Sequence, residues 1–292
     1  MMLREVGIAW LLMSSTIVSC NKPAKTTEQP TKIFNRLMPD NSGIDFSNLL
    51  LEDSTVNYFT YPYIYMGGGV AIADVNNDGL QDIYFTGNQV ANKLYLNLGG
   101  LKFKDISSEI GVEGDDRWAT GVTMADVNHD GWMDIYVSVS GKWTTTKNLL
   151  FINQGANDQG IPSFVEAAEQ MGVADEGKST QATFFDYDKD GDLDLYVANY
   201  PYTSFKTINA AYRFKMDQKV PEHSDKLYQN QGDGSFEDVT AAAGLLNFGL
   251  SLGVVVDDFN QDGWEDLYVS NDFASSDYFY FNNGDGTFTE KI

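Results

Sequence analysis

The chain has 292 residues, 42% of them hydrophobic, which is enough for a sizeable core in one or two domains. Nineteen Lys and Arg against 42 Asp and Glu leave a formal charge of −23, a field that repels phosphate backbones and argues against nucleic-acid binding. The single cysteine, Cys20, excludes an internal disulfide or a thiolate zinc cluster, and His129 and His223 leave little material for a histidine-built metal site. Thirteen per cent aromatic residues and 27 glycines point instead to a β-rich, turn-rich fold.

The chain opens with Arg4 and an apolar, small-residue run from Val6 to Ser19, shorter than the roughly 20 residues that span a bilayer. The run ends Ile17-Val18-Ser19-Cys20, which resembles a bacterial lipoprotein signal with Cys20 as the lipidated residue. That resemblance implies a signal peptide over residues 1–19 and an extracytoplasmic protein held at an outer membrane or cell surface through lipid on Cys20. Residues 20–33 are polar, contain prolines and lack periodicity, so they read as a tether. Residues 34–66 form a lead-in segment.

Four copies of one pattern occupy residues 67–292. Their acidic loops begin at Asp74, Asp126, Asp186 and Asp258, which are 52, 60 and 72 residues apart. A short apolar run precedes each loop, as in Val70-Ala71-Ile72, and an aliphatic-Tyr pair comes after it: Ile83-Tyr84, Ile135-Tyr136, Leu195-Tyr196 and Leu267-Tyr268. A third strand ends on Asn in every unit, a Gly-containing turn comes next, and a fourth strand surrounds Phe103, Phe164, Phe236 or Phe288. Four strands per unit of about 50 residues predict an all-β fold, a β-propeller of four-stranded blades. Four blades are visible, and the expectation is a stretch of a larger ring. A closed four-bladed ring, with Tyr58 to Tyr65 at the seam, is the alternative.

Each loop reads D-x-[DN]-x-D-G-x-x-D. Side-chain oxygens at positions 1, 3 and 5 converge as the chain coils, glycine at 6 permits a positive φ, position 7 offers its carbonyl, and position 9 closes the cage. The predicted Ca²⁺ ligands are Asp74, Asn76, Asp78, Leu80 and Asp82 in the first loop, and Asp126, Asn128, Asp130, Trp132 and Asp134 in the second. They are Asp186, Asp188, Asp190, Asp192 and Asp194 in the third, and Asp258, Asn260, Asp262, Trp264 and Asp266 in the fourth. Asp, Asn and Gly are also ordinary turn formers, but a turn needs no more than two of them. Position 9 enters a strand and no Glu stands at position 12, so these are not EF-hands. About four Ca²⁺ ions would act as structural staples and reduce the formal charge from −23 to −15.

These units resemble the FG-GAP/VCBS repeats of integrin α-subunit propellers and of secreted bacterial proteins, most specifically at the acidic loop and at the Asn-x-Gly turns Asn153-Gln154-Gly155 and Asn230-Gln231-Gly232, with Asn283-Gly284 in the last unit. Gly67 to Gly79, with Thr86-Gly87-Asn88 after it, resembles Bacteroidota lipoproteins in which such repeats precede an ASPIC/UnbV domain. The resemblance implies calcium binding and extracytoplasmic contact with a ligand or matrix. It implies no reaction, because propellers host binders and enzymes alike.

In an up-and-down blade the acidic loops and Asn-x-Gly turns share one face, so length variation should gather on the other. From Asp194 to Tyr228 the third unit spans 34 residues, against 13 from Asp82 to Tyr95 in the first. The extra segment brings Tyr200, Tyr202, Phe205 and Arg213, and Trp143 lies in the matching loop of the second unit. Aromatic residues with a few cations suit a glycan or protein ligand on this face. The leading reading is a non-enzymatic adhesion or binding propeller, touching the membrane only through its N-terminal lipid. The alternative is an extracellular polysaccharide lyase or hydrolase. Glu166, Glu169, Glu237 and Glu290 occupy repeat-equivalent positions expected to be solvated, and no nucleophile elbow or zinc-binding helix is visible.

Overall fold

Each acidic loop turns the chain back on itself and pairs the apolar run before it with the aliphatic-Tyr run after it. In the first unit this sets Val70 opposite Phe85 and Ala73 opposite Asp82. The structure is a computed structural model and describes residues 34–201, 214, 218–272 and 275–292. Cys20, the signal and tether segments, and Tyr202, Phe205 and Arg213 lie outside the described residues. Contacts separate residues 1–37 from residues 38–292, and the blades belong to the second of these units.

Four antiparallel four-stranded sheets succeed one another as blades. The first holds β1 (Val70–Ala73), β2 (Asp82–Phe85), β3 (Lys93–Asn97) and β4 (Phe103–Asp105). The second holds β5 (Trp118–Ala125), β6 (Asp134–Ser140), β7 (Leu149–Ala156) and β8 (Pro162–Glu166). The third is β9 (Ser179–Phe185), β10 (Asp194–Asn199), β11 (Lys226–Asn230) and β12 (Phe236–Asp238). The fourth is β13 (Ser251–Asp257), β14 (Asp266–Asn271), β15 (Tyr278–Asn282) and β16 (Phe288–Glu290). Pairing runs in chain order within every blade, which is the up-and-down meander expected of a propeller.

The core lies between blades. Tyr84 and Leu94 of the first pack with Ile135, Val137 and Leu149 of the second. Tyr136 and Leu150 meet Leu195 and Val197, and Tyr196 and Leu227 meet Leu267 and Val269. The inner strands come close enough to exchange hydrogen bonds. Thr120 Oγ1 donates to the Ser179 carbonyl at 2.7 Å and Thr180 Oγ1 to the Ser251 carbonyl at 2.8 Å. Only glycine fits beside them, because a Cβ on Gly121 would stand 2.6 Å from the Thr180 carbonyl oxygen. β1 packs on β5, β5 on β9 and β9 on β13, with no comparable packing of β13 on β1. Val70 and Ile72 on β1 and Val255 on β13 accordingly remain exposed, whereas the matching Val122 and Met124 of β5 are partly buried.

A second repeated device was not anticipated from the pattern. The residue immediately before each third strand caps the end of the second: Asn92 Oδ1 accepts Gly87 N, Asn148 accepts Val139 N, Asp225 accepts Asn199 N and Asp277 accepts Asn271 N, at 2.7–2.9 Å. In the second, third and fourth blades the same side chain meets the tyrosine of the aliphatic-Tyr pair. Asn148 Nδ2 donates to Tyr136 Oη at 2.9 Å, and Tyr196 Oη donates to Asp225 at 2.8 Å. Tyr136 and Tyr196 therefore enter the core with their hydroxyls satisfied.

The lead-in segment covers the ends of the blades opposite the acidic loops. Asn48 Nδ2 donates to Asn88 Oδ1 at 2.7 Å, and Phe46 stacks on Phe85 at 4.9 Å. Tyr61 and Ile64 are buried with Trp118, Tyr200, Phe248 and Leu250, from the second, third and fourth blades. The stretch around Tyr58 to Tyr65 thus caps several blades instead of sealing the ends of a ring.

Candidate metal loops and the opposite face

In all four loops the glycine at position 6 has positive φ, 85° at Gly79, 86° at Gly131, 98° at Gly191 and 92° at Gly263. The coil this permits aims backbone N–H groups at the first and fifth side chains. Asp78 N and Gly79 N donate to the two oxygens of Asp74 at 3.1 and 2.7 Å, and Leu80 N donates to Asp78 Oδ1 at 2.8 Å. Trp132 N and Trp264 N repeat the last bond to Asp130 and Asp262, both at 2.9 Å. Where position 3 is Asn, its amide nitrogen donates to the position-5 carboxylate: Asn76 to Asp78, Asn128 to Asp130 and Asn260 to Asp262.

The third loop, with Asp at position 3, differs. Carboxylate oxygens of Asp186, Asp188 and Asp194 lie within 4.8 Å of one another. Gly191 N donates to Asp186 Oδ2 at 3.2 Å, but Asp186 Oδ1 is buried without a hydrogen-bond partner. A buried carboxylate oxygen is costly unless something positive meets it. This donor set, hard oxygens on a flexible loop, fits a Ca²⁺-type cation.

The ninth residue does more than close a cage. Asp82, Asp134, Asp194 and Asp266 are buried, and both oxygens of each accept backbone N–H groups. For Asp82 the donors are Val75 N at position 2 of its own loop, at 3.0 Å, and Asn97 N on β3, at 2.7 Å. A carboxylate has about four acceptor sites, so these bonds leave capacity for a cation. Burial pushes Asp82 and Asp134 up to about 6 and Asp194 to about 7, with repulsion from the fifth and first or third acids adding to it and the backbone N–H groups opposing it.

That shift has a definite sign. A carboxylate with a raised folded value stabilises the metal-free fold most at low pH, and this contribution is lost as pH rises from about 4 through 6–7. A cation competes with the same protons. The affinity of any cation bound by these oxygens is therefore expected to fall about fourfold at the first two loops and more than tenfold at the third between pH 7.5 and 5.5, with protons released on binding at pH 6.5. Calorimetric titrations in buffers of different ionisation enthalpy check this, and a pH-independent affinity would contradict it.

Position 4 varies among Asn77, His129, Lys189 and Gln261, all with φ of 57–62°. Its side chain reaches toward the next blade's loop. Asn77 Nδ2 donates to the Gly131 carbonyl at 3.0 Å, His129 Nδ1 stands 3.3 Å from Asp192 Oδ1, and Lys189 Nζ lies 4.2 Å above the Trp264 ring.

The opposite face departs from expectation at Tyr200. Its side chain is only 2% exposed, and its hydroxyl meets Ser140 Oγ at 2.8 Å under Tyr61, so it is a packing residue and is not available to a ligand. Trp143 is half-buried and borders a cavity of about 410 Å³ with Leu51, Asp53, Asn88, Gln89 and Trp118. Glu166, Glu169, Glu237 and Glu290 serve local roles or face solvent. Glu166 accepts Ala168 N at 2.9 Å, Glu169 pairs with Lys147, and Glu237 and Glu290 are exposed.

Residues 64–137 and 220–269 match the FG-GAP-like repeat family. Those stretches are FG-GAP-like repeats, and they fold as propeller blades. The chain is 26% identical over 233 residues to cartilage acidic protein 1 of Mus musculus, covering 80% of this chain and 33% of that protein. It is 31% identical over 153 residues to integrin alpha-8 of Mus musculus, covering 47% of this chain and 14% of that one. With integrin alpha-3 of Cricetulus griseus it shares 29% identity over 149 residues, 47% of this chain and 13% of that protein. The chain thus spans about a third of the length of cartilage acidic protein 1, 33% of the mouse and 28% of the human form. Among its described residues no helix is long and apolar enough to cross a membrane.

Proposed function

We propose that this FG-GAP propeller is a calcium-stabilised binding protein of the cell exterior, anchored by lipid on Cys20, that captures a glycan or protein through the face opposite its acidic loops. The observation that carries the metal reading is the convergence of Asp186, Asp188 and Asp194 around a buried, partnerless oxygen, on a loop built four times over. Aspartates at positions 1, 5 and 9, and Asp or Asn at position 3, would hold Ca²⁺ in each copy, with the carbonyls of Leu80, Trp132, Asp192 and Trp264 completing the set. The ion would act as a staple, fixing the loop that joins the two inner strands of a blade. Likeness to cartilage acidic protein 1 and integrin alpha chains supports a role outside the cytoplasm.

For capture, the cavity beside Trp143 has an aromatic wall and a rim of carboxylates and amides, Asp53, Asp116, Asn88 and Gln89. Such a mixture of ring face and hydrogen-bonding groups suits a sugar ring or a peptide segment. The net negative charge disfavours acidic glycans.

Glycan and protein arrays probed with the full chain, with millimolar Ca²⁺ and with EGTA, test the reading. Capture is expected with calcium and is expected to weaken at least tenfold on Trp143→Ala. Capture that ignores both changes would locate the ligand elsewhere, and turnover of a polysaccharide would replace binding with catalysis.

A further inference from the structure

A continuous hydrogen-bonded chain joins the four acidic loops, and it passes through the asparagine that ends each third strand. Asn153 N donates to its own loop's Asp134 Oδ1 at 2.8 Å, and Asn153 Nδ2 donates at 2.8 Å to the carbonyl of Val75, position 2 of the preceding loop. Val75 N in turn donates to Asp82 Oδ2 at 3.0 Å. The unit then repeats. Asn230 N reaches Asp194 at 2.9 Å while Asn230 Nδ2 reaches the Val127 carbonyl at 3.1 Å, and Val127 N reaches Asp134 at 3.0 Å. Asn282 N reaches Asp266 at 2.9 Å, Asn282 Nδ2 the Tyr187 carbonyl at 2.8 Å, and Tyr187 N reaches Asp194 at 3.1 Å.

The path therefore runs Asp82, Val75 peptide, Asn153, Asp134, Val127 peptide, Asn230, Asp194, Tyr187 peptide, Asn282, Asp266. All three linking asparagines are at most 5% exposed. Each asparagine oxygen is also committed, accepting the N–H of the turn glycine two residues on, at 2.9 Å for Gly155, 3.1 Å for Gly232 and 2.9 Å for Gly284. A side chain held at its oxygen, its amide nitrogen and its own backbone N–H has little freedom to absorb a movement on one side without passing it to the other.

We infer that the loops are coupled metal sites, with Asn153, Asn230 and Asn282 as positioning residues that transmit occupancy of one loop to its neighbour. The inference rests on the proposed metal binding and extends it to the order in which sites fill. Ion binding at one loop fixes its ninth carboxylate, hence the asparagine bonded to it, hence the position-2 peptide of the loop before. That loop then loses less freedom when it binds its own ion, which is positive coupling through ordering. Direct charge effects between sites oppose it, but they are screened beyond about 8 Å at physiological salt, whereas the buried hydrogen bonds are not. A contiguous network of this kind can carry coupling on the order of 5–150-fold.

Terbium excited through tryptophan provides a site-weighted probe, because Trp132 at position 7 of the second loop and Trp264 at position 7 of the fourth would sensitise emission most strongly from their own sites. The full chain is titrated with Tb³⁺ alone in 0.15 M salt. A Trp264→Phe background reports the second loop and a Trp132→Phe background the fourth. Disabling the third loop with Asp186→Ala and Asp188→Ala is expected to raise the second-loop midpoint at least fivefold. The same pair of changes in an Asn230→Ala chain is expected to shift it less than twofold. Asn282→Ala should likewise uncouple the fourth loop from the third, which supplies an independent cycle if Asn230→Ala fails to fold by circular dichroism. Equal shifts with and without the asparagines, or no shift at all, would overturn the coupling while leaving metal binding intact. No sensitised emission from the parent chain would overturn both readings.

Discussion

Removing divalent metal from the purified chain is expected to lower its melting temperature by roughly 10–20 °C. An ion held at ten times its dissociation constant stabilises the folded state by about 1.4 kcal/mol per site. Four independent sites would contribute about 5–6 kcal/mol, and a chain of this size shifts by about 2–4 °C per kcal/mol. The direction comes from the loops themselves. Without a cation the third loop holds Asp186, Asp188 and Asp194 within 4.8 Å of one another with one oxygen unsatisfied. Like charges at that separation oppose the fold. Melting in EGTA and in millimolar CaCl₂, with elemental analysis of the dialysed protein, reads the effect directly. Asp186→Ala with Asp188→Ala should remove at least a quarter of the difference, and more where the loss of the third site also weakens its neighbours. Identical melting under both conditions, with no bound metal, would remove the basis for treating the loops as ion sites.

Asp225→Ala is expected to cost about 3–5 kcal/mol, the largest effect of any single substitution away from the loops. The carboxylate is fully buried where the third and fourth blades meet. It accepts Asn199 N at 2.7 Å, Tyr196 Oη at 2.8 Å, Asn247 Nδ2 at 2.7 Å and Ser251 Oγ at 3.0 Å. Alanine would leave Asn199 N and Tyr196 Oη without an acceptor, and would leave Ser251 Oγ and Asn247 Nδ2 with only their longer bonds to Asn271 Oδ1 at 3.1 Å and Tyr280 Oη at 3.4 Å. Asp225→Asn is expected to cost less, about 1–3 kcal/mol, because Asn92 and Asn148 show that an amide oxygen can cap the second strand, whereas its NH2 would face the Asn247 Nδ2 donor.

The two substitutions also separate by pH. Burial pushes the Asp225 carboxyl up, against the four bonds that favour its charged form. A group raised in the folded state stabilises most below the ordinary carboxylate range, about 3.9, and this contribution is lost as pH rises through the raised value. The stability of the parent relative to Asp225→Asn should therefore fall between pH 4 and pH 8 in denaturant titrations. A flat difference would mean that the charge is not confined as the structure indicates.

Much of the blade was legible in the residue pattern because its signals are local. Apolar runs on either side of an Asp-Asn-Gly loop specify a hairpin within about 20 residues, and the aliphatic-Tyr pair and the Phe of the fourth strand recur at fixed places around it. All four loops stand where the pattern placed them. The Asn-x-Gly turn was visible too, but only as a turn. Its asparagine also reaches a carbonyl 78 residues away at Asn153 and 103 residues away at Asn230, and no short-range periodicity encodes such a partner. In the last unit the working residue is Asn282, which ends the third strand, and not Asn283 in the turn after it.

The ligand face was the least legible part. Tyr200 looks like a surface aromatic in an inserted segment, yet Tyr61 and Ile64 of the lead-in bury it, and nothing in residues 58–65 announces three blades as their partners. The repeat by itself determined the strands, their order within a blade and the acidic loops, since each depends on neighbours close in the chain. Tertiary structure alone decided which asparagine joins which loop, which aromatic remains open beside the Trp143 cavity, and which strands at the two ends keep Val70, Ile72 and Val255 exposed. These are contacts between blades, a full repeat or more apart, where burial depends on what the neighbouring sheet presents.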